Sequence, residues 1–247
     1  MASKLVAVVA GVGPGTGAAI ARRFAAKYPI VLLARNPDNF KSLVSEINER
    51  GGKAIGISTD ISSASSVQSA FGKIKEEFGN DVGLAAAVFN ASGKFLKKPF
   101  LELTEEEYLS EYVVAGKGAF LFSQATLPLL LKSTERNPNH PPTLIFTGAT
   151  ASVKGSPQFS SFANGKFALR ALSQSLAREF YPKGVHVAHA IIDGVIDIPK
   201  TKEWLKDAGP DAKINPDAIA DSYWHLHTQP RSTFTQEIDI RPWVEKW

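Results

Sequence analysis

The stretch LVAVVAGVGPGTGAAIARRFAAKY, residues 5–28, decides how the rest of the chain is read. Its first six residues are an apolar, valine-rich run with the length of one buried β-strand. Glycines follow at 11, 15 and 17, and the chain then opens a helix. Glycines at this spacing let the backbone turn sharply, bring N–H groups close to a pyrophosphate, and start a helix whose N-terminus favours anions. A glycine loop that merely turns is the alternative. The strand before it and the helix after it, at the head of an alternating chain, favour phosphate binding.

Downstream, β-branched or apolar runs alternate with amphipathic stretches, the pattern of a parallel sheet covered on both faces. Strands are expected at 5–10, 30–33, 54–58, 84–89, 144–146, 185–192 and 234–240. Between them, Phe40, Leu43, Val44 and Ile47 fall on one helical face, stopped by Gly51 and Gly52, and Val67, Phe71, Ile74 and Phe78 repeat the pattern up to Gly79. TEEE at 104–107 is a capping-box start, and the helical region after it runs to about 131, with Gly116, Gly118 and Pro128 as expected breaks or bends. The polar, proline-rich 132–142 segment reads as an exposed connector. The expectation is one α/β domain over 1–247: a Rossmann-like, doubly wound, predominantly parallel seven-stranded sheet with its ligand cleft at the carboxyl ends of the strands.

Composition narrows the function. The 28 basic and 24 acidic residues of this 247-residue chain are interspersed, giving a net charge of +4 without a run of one sign, which suits an anionic small ligand and not a nucleic acid. The absence of cysteine excludes disulfides, a thiolate nucleophile and cysteine-ligated metal sites. The run at 5–10 is too short for a membrane span or a signal peptide, so a cytoplasmic protein without membrane or metal partners is expected.

The end of the second strand bears on the nucleotide. A free ribose 2′-OH usually meets an Asp or Glu there, whereas a 2′-phosphate needs the acid absent and a cation present. VLLARNPDNF places Ala34 and Arg35 at that point, which favours NADP(H) over NAD(H); the alternative is a solvated Arg35 with Asp38 supplying the acid.

Gly11, Gly15 and Gly17, then TDIS at 59–62, FNASG at 89–93, FANGK at 162–166 and IDGVID at 192–197 follow one another as in the short-chain dehydrogenase/reductase family, which the chain resembles over essentially its whole length. The resemblance implies cofactor contacts from Gly11, Gly15, Thr16 and Gly17, from Asp60 and Ile61 beside the adenine, and from Asn90 and Ala91 after the fourth strand. It implies that Lys166 holds the nicotinamide ribose, that Gly194 and Ile196 lie by the nicotinamide amide, and that the segment from about 198 to 214 covers the substrate. A homodimer or homotetramer built on the helices around 104–131 and 160–181 and on the C-terminal segment, with Trp243 and Trp247, is implied as well.

The chain departs from the family at its catalytic tetrad of Asn, Ser, Tyr and Lys. The asparagine place falls on Ala115, the serine place on Ala149, thirteen residues before Phe162, and the tyrosine place on Phe162 itself; Lys166 alone remains. None of the five tyrosines replaces the missing one by a small slip, with Tyr112 alone conceivable, and Thr147 and Thr150 could restore a hydroxyl. Without the usual acid, substrates that accept hydride and need no strong donor fit best: a C=N bond, helped by a carboxylate such as Asp193, or an activated C=C bond. Asp193 and Asp197 also suit plain turn positions. His186 and His189 alternate with Val187 along a strand and are read as packed, and His225 and His227 lack a metal-like partner set. Three functions stay open: an NADP(H) oxidoreductase with an atypical proton route, a non-redox enzyme using the cleft as a template, and a catalytically silent nucleotide-binding protein.

Overall fold

The computed structural model describes residues 5–136 and 138–246, so Trp247 lies outside the described residues. Seven strands form one parallel sheet: β1 (Leu5–Ala10), β2 (Ile30–Ala34), β3 (Ala54–Ser58), β4 (Gly83–Phe89), β5 (Thr143–Thr147), β6 (His186–Ile192) and β7 (Glu237–Ile240). Their order is β3-β2-β1-β4-β5-β6-β7, every adjacent pair parallel. β7 starts three residues later than expected because Phe234 leaves the sheet to stack flat on His186, ring centroids 4.2 Å apart.

Seven α-helices cover the sheet: α1 (Thr16–Ala25), α2 (Lys41–Glu49), α3 (Ala64–Phe78), α4 (Glu105–Glu111), α5 (Ala119–Thr134), α6 (Ser160–Phe180) and α7 (Pro216–Thr228). Successive strand side chains point to opposite faces, and β1 shows the consequence. Val6, Val8 and Ala10 pack with α3, α5 and α6 through Phe71, Phe122 and Leu169, while Ala7 and Val9 pack with α1, α2 and α7 through Phe24, Leu43 and Tyr223. Apolar on both faces, the strand cannot sit at a solvated edge.

The expected capping box at α4 is present, Thr104 and Glu107 bonding each other's backbone N–H. At Gly116 and Gly118, where a break or bend is expected, the helix changes its hydrogen bonding but does not end. The chain continues from α4 to α5 through a π-helical segment, Tyr112–Gly118, whose wider turn inserts an extra residue per turn without interrupting the rod. Gly116 carries the Tyr112 ring against its Cα, and Gly118 packs on Ile61. Among the described residues this continuous run, Glu105–Thr134, has the length and apolarity of a membrane span, but half of its most apolar window is buried inside the fold, where α5 lies on β4.

Candidate active site

The strand order reverses between β1 and β4, and their carboxyl ends open the crevice where ligands bind in doubly wound sheets. Two cavities meet there, of about 770 and 700 Å³, sharing Gly11, Asn90 and Ser92 in their walls. The first gathers Gly11, Arg35, Asp60, Ile61, Asn90 and Ala91; the second gathers Gly15, Thr16, Gly17, Ala149, Phe162, Lys166, Gly194 and Ile196. Two candidates from the sequence stand apart from both linings. Ala115, on the segment just before α5, is fully buried in the core, and Asp193 turns its carboxylate to the Thr150 hydroxyl and, at 3.3 Å, to Arg241.

The glycine cradle that runs between the two cavities is built from backbone. Gly11 has φ 86°, and a Cβ there would sit 2.4 Å from the Ala91 nitrogen; one on Gly17 would sit 2.7 Å from the Gly11 carbonyl oxygen. Asn90 Nδ2 donates to that same oxygen at 2.9 Å, tying the loop after β1 to the loop after β4. No side chain caps the N-terminus of α1. Glycines here leave a cradle any side chain would fill, which fits a pyrophosphate. At the rim, Arg35 is exposed and lines the first cavity, while Asp38 is bonded to Lys41 at 3.1 Å and lies outside the lining. The Asp60 carboxylate accepts the Ser62 N–H and hydroxyl, which hold it below the usual range, with Arg35 and Lys117 adding to the effect.

The second cavity is built from side chains. Phe162 and Lys166, one helical turn apart on α6, face it together as their spacing requires. Lys166 Nζ donates to the Thr147 carbonyl at 3.2 Å and lies 5.7 Å from the Phe162 ring centroid. Phe95 stands within 5.2 Å of Phe162, 5.5 Å of Phe159 and 6.3 Å of Trp204, centroid to centroid, which makes an aromatic wall. Lys154 and Lys200 join Lys166 in the lining, and no Asp, Glu or Tyr does. The segment after β6 closes over the glycine loop: a Cβ on Gly15 would come within 2.5 Å of Ile198, and Lys213 pins this segment through the Thr201 and Lys202 carbonyls at 2.8 and 2.9 Å.

Of the possible replacement hydroxyls, Thr150 is engaged with Asp193 and Thr147 accepts from the buried Tyr223 hydroxyl at 2.8 Å. Burial raises the Tyr223 phenol far above its usual range. Tyr112 is exposed and lies against Gly116, away from the cavity. His189 is buried on Glu237, its imidazole pushed down to about 4, and His227 bridges Tyr28 and Thr143; no cluster of three metal-ligating side chains occurs among the described residues.

One group went unread in the sequence. Glu111, at the end of α4, is fully buried with its carboxylate 3.5 Å from Lys166 Nζ. A signal existed: a single carboxylate stands where the acidic start of α4 gives way to the apolar YVVAGKGAFLF.

The family model described as short chain dehydrogenase matches residues 5–209. The chain belongs to the short-chain dehydrogenase family. As a short-chain dehydrogenase it is an oxidoreductase by type, and its likeness to others runs nearly end to end. A short-chain dehydrogenase from Rhodopseudomonas palustris superposes with a TM-score of 0.79 at 32% identity, covering 97% of this chain and 99% of the other. An alcohol dehydrogenase from Thermococcus sibiricus, solved with 5-hydroxy-NADP, gives 0.82 at 26% identity and covers 98% of each. A short-chain dehydrogenase/reductase of Armillaria gallica is 33% identical over 198 residues, 78% of this chain and 72% of that protein.

Proposed function

We propose that this short-chain dehydrogenase uses NADP(H) in preference to NAD(H) and transfers hydride to a small organic substrate by an atypical proton route. The observation that carries this reading is the lining of the second cavity, which brings Lys166, Phe162 and Ala149 together; the resemblance implies that Phe162 and Ala149 stand where the family has its tyrosine and serine. Gly11, Gly15 and Gly17 would cradle the pyrophosphate, Asp60 and Ile61 flank the adenine, and Asn90, Lys166, Gly194 and Ile196 border the nicotinamide half. A bound reduced nicotinamide supplies the hydride. Preference for NADP(H) is supported by Arg35 at the rim, by Asp38 being spent on Lys41, and by the NADP analogue in the Thermococcus relative.

Reducing a simple ketone creates a strongly basic alkoxide, and a positioned acid there is worth about 10²–10⁴ in rate. An activated C=C bond gives a delocalised enolate instead, and a C=N cation needs no proton at all. Three lysines and no carboxylate line this cavity, and Asp193 is held away by Thr150 and Arg241, so the electrostatics favour the activated C=C substrate over the cationic one. The aromatic wall suits a planar, conjugated body. We also propose a homodimer or homotetramer joined across the α4–α5 rod and α6, where Tyr112, Val113, Phe120 and Phe167 are exposed.

A titration with NADPH and NADH, followed by energy transfer from Trp204 and the other tryptophans to the nicotinamide, tests the cofactor assignment. NADPH is expected to bind more tightly, and Arg35→Ala to weaken it about 10–100-fold while leaving NADH nearly unchanged, the span expected for a hydrogen bond to a charged group. Equal losses for both, or no binding of either, overturn the reading.

A further inference from the structure

Behind the wall of the second cavity sits Glu111, whose carboxyl group has no exposure to solvent. Three donors converge on it: the Gly93 N–H at 2.6 Å from Oε2, the Ser92 hydroxyl at 3.0 and 3.1 Å from the two oxygens, and Lys166 Nζ at 3.5 Å from Oε1. Ser92 and Lys166 both line the cavity, so one hidden carboxyl touches it through two separate groups. The backbone is fitted to it. A Cβ on Gly93 would lie 2.9 Å from Oε2 and one on Gly165 would lie 2.6 Å from Cγ, so α4 and α6 meet closely at glycine around this side chain. Packing alone does not ask for a carboxylate here, since an apolar side chain of similar volume fills such a place without the desolvation cost.

We propose that Glu111 is the proton-holding positioning residue of the site, resupplying Lys166 in place of the hydroxyl that Phe162 lacks; this rests on the redox reading above. After hydride has reached the β-carbon of an activated C=C bond, the displaced electron pair resides on the conjugated oxygen. An N–H bond of the Lys166 ammonium breaks and an O–H bond forms on that oxygen, leaving a neutral amine. The O–H bond of the Glu111 carboxyl then breaks and the N–H bond is restored, leaving ammonium beside carboxylate. Solvent returns one proton to the carboxylate through the Ser92 hydroxyl.

Burial raises the Glu111 carboxyl above the ordinary glutamate range, with Lys166, Ser92 and the Gly93 N–H pulling the other way. His189 on β6 is coupled electrostatically to Lys166; it bonds Glu237 on β7, which pairs with Arg170 on α6, and Tyr223 on α7 bonds Thr147, whose carbonyl accepts from Lys166. Burial holds His189 neutral down to about 4 and keeps Tyr223 protonated, while Glu237 is held low by Arg170. None of the four changes charge between about pH 5 and 8, so a proton exchanged by the Glu111 carboxyl in that range is not masked by them.

The test needs no substrate. In the full-length protein labelled with glutamate carrying carbon-13 at its carboxyl, one signal is expected to titrate above all other glutamates and to be missing in Glu111→Gln. Lys166→Met removes the opposing ammonium and is expected to raise that carboxyl's proton affinity about tenfold or more. All carboxyls titrating in or below the ordinary range, or a raised signal that survives Glu111→Gln, overturns the proposal. Should Glu111→Gln fail to fold, an unmoved signal in Lys166→Met overturns it equally. An NADPH titration of the same samples separates the two ideas: a raised Glu111 without NADPH binding removes the redox reading alone, and NADPH binding with an ionised Glu111 removes this one alone.

Discussion

The two halves of the cleft are made of different material. The nucleotide half is backbone: Gly11 against Ala91, Gly17 against the Gly11 carbonyl, and an uncapped helix end. The half around Lys166 is side chain: Phe162, Ala149, the aromatic wall and a carboxyl hidden behind it. A backbone site keeps its N–H groups through every substitution except proline and is otherwise destroyed only by adding atoms. A side-chain site changes its chemistry whenever one functional group is exchanged. The fold can therefore keep its cofactor cradle fixed while its proton chemistry drifts.

The sharpest way to break this contrast is to install, at Phe162 and Ala149, the two hydroxyls that the family resemblance implies for those places. In Phe162→Tyr with Ala149→Ser the new phenol would project from a ring that already lines the cavity, one helical turn from Lys166. Ketone reduction with NADPH is expected to rise by about 10²–10⁴, the usual worth of a positioned general acid, or roughly 3–5 kcal/mol of barrier. An inert double variant that still binds NADPH would show that the two halves are coupled more deeply than two hydroxyls.

The opposite manipulation adds one methyl group to the backbone half. In Gly17→Ala the new Cβ would meet the Gly11 carbonyl oxygen at 2.7 Å and the Val12 Cα at 2.9 Å, neither of which can swing aside. A loss of about 1–3 kcal/mol of stability is expected, as for other overpacked sites, together with at least tenfold weaker NADPH binding. Gly155→Ala is the control, because a Cβ there meets nothing within 4 Å. Chemical denaturation of both variants decides it, and equal stabilities would remove the claim that the loop is held by close backbone approach.

The same contrast sets what was legible in the sequence. The seven strands, their parallel direction and the glycine cradle are written locally, in apolar runs and in spacings of a few residues, whereas the aromatic wall of Phe95, Phe159 and Trp204 comes from segments that no local spacing joins. Phe162, Ala149 and Lys166 also line one cavity, since two lie on one helix face and the third follows the end of β5 by two residues. What failed depends on contacts between distant segments. Asp193 looks like a free carboxylate until Arg241 and Thr150 are folded beside it, and Ala115, just before α5, is buried in the core. The rod through Gly116 persists because a π turn absorbs the glycines. Glu111 was marked only by its place before an apolar run, because its surroundings come from Gly93 and Gly165, which no helical periodicity associates with it.

The smallest effect separates the halves by pH. Titratable groups near the cofactor cradle, such as Asp60, touch solvent, whereas His189 and His227 are buried beside β5 and β6. Burial pushes their imidazoles down to about 4 and about 3. Both folded values lie below the unfolded one, so the unfolded chain takes up protons first as the medium is acidified. Their contribution to stability is complete above about pH 6.5 and is lost progressively as the pH falls toward 4 and 3, on the order of 1 kcal/mol each by about pH 5.5. Glu111 runs the other way: its raised carboxyl contributes stability below the ordinary glutamate range that is lost as the pH rises through its folded value. Thermal unfolding between pH 7 and 5 is therefore expected to show a falling midpoint that flattens in His189→Gln, where an amide can still reach Glu237, and stays unchanged in Asp60→Asn. A slope as steep in His189→Gln as in the parent would place the acid sensitivity elsewhere, and a slope abolished by Asp60→Asn would assign it to the nucleotide half.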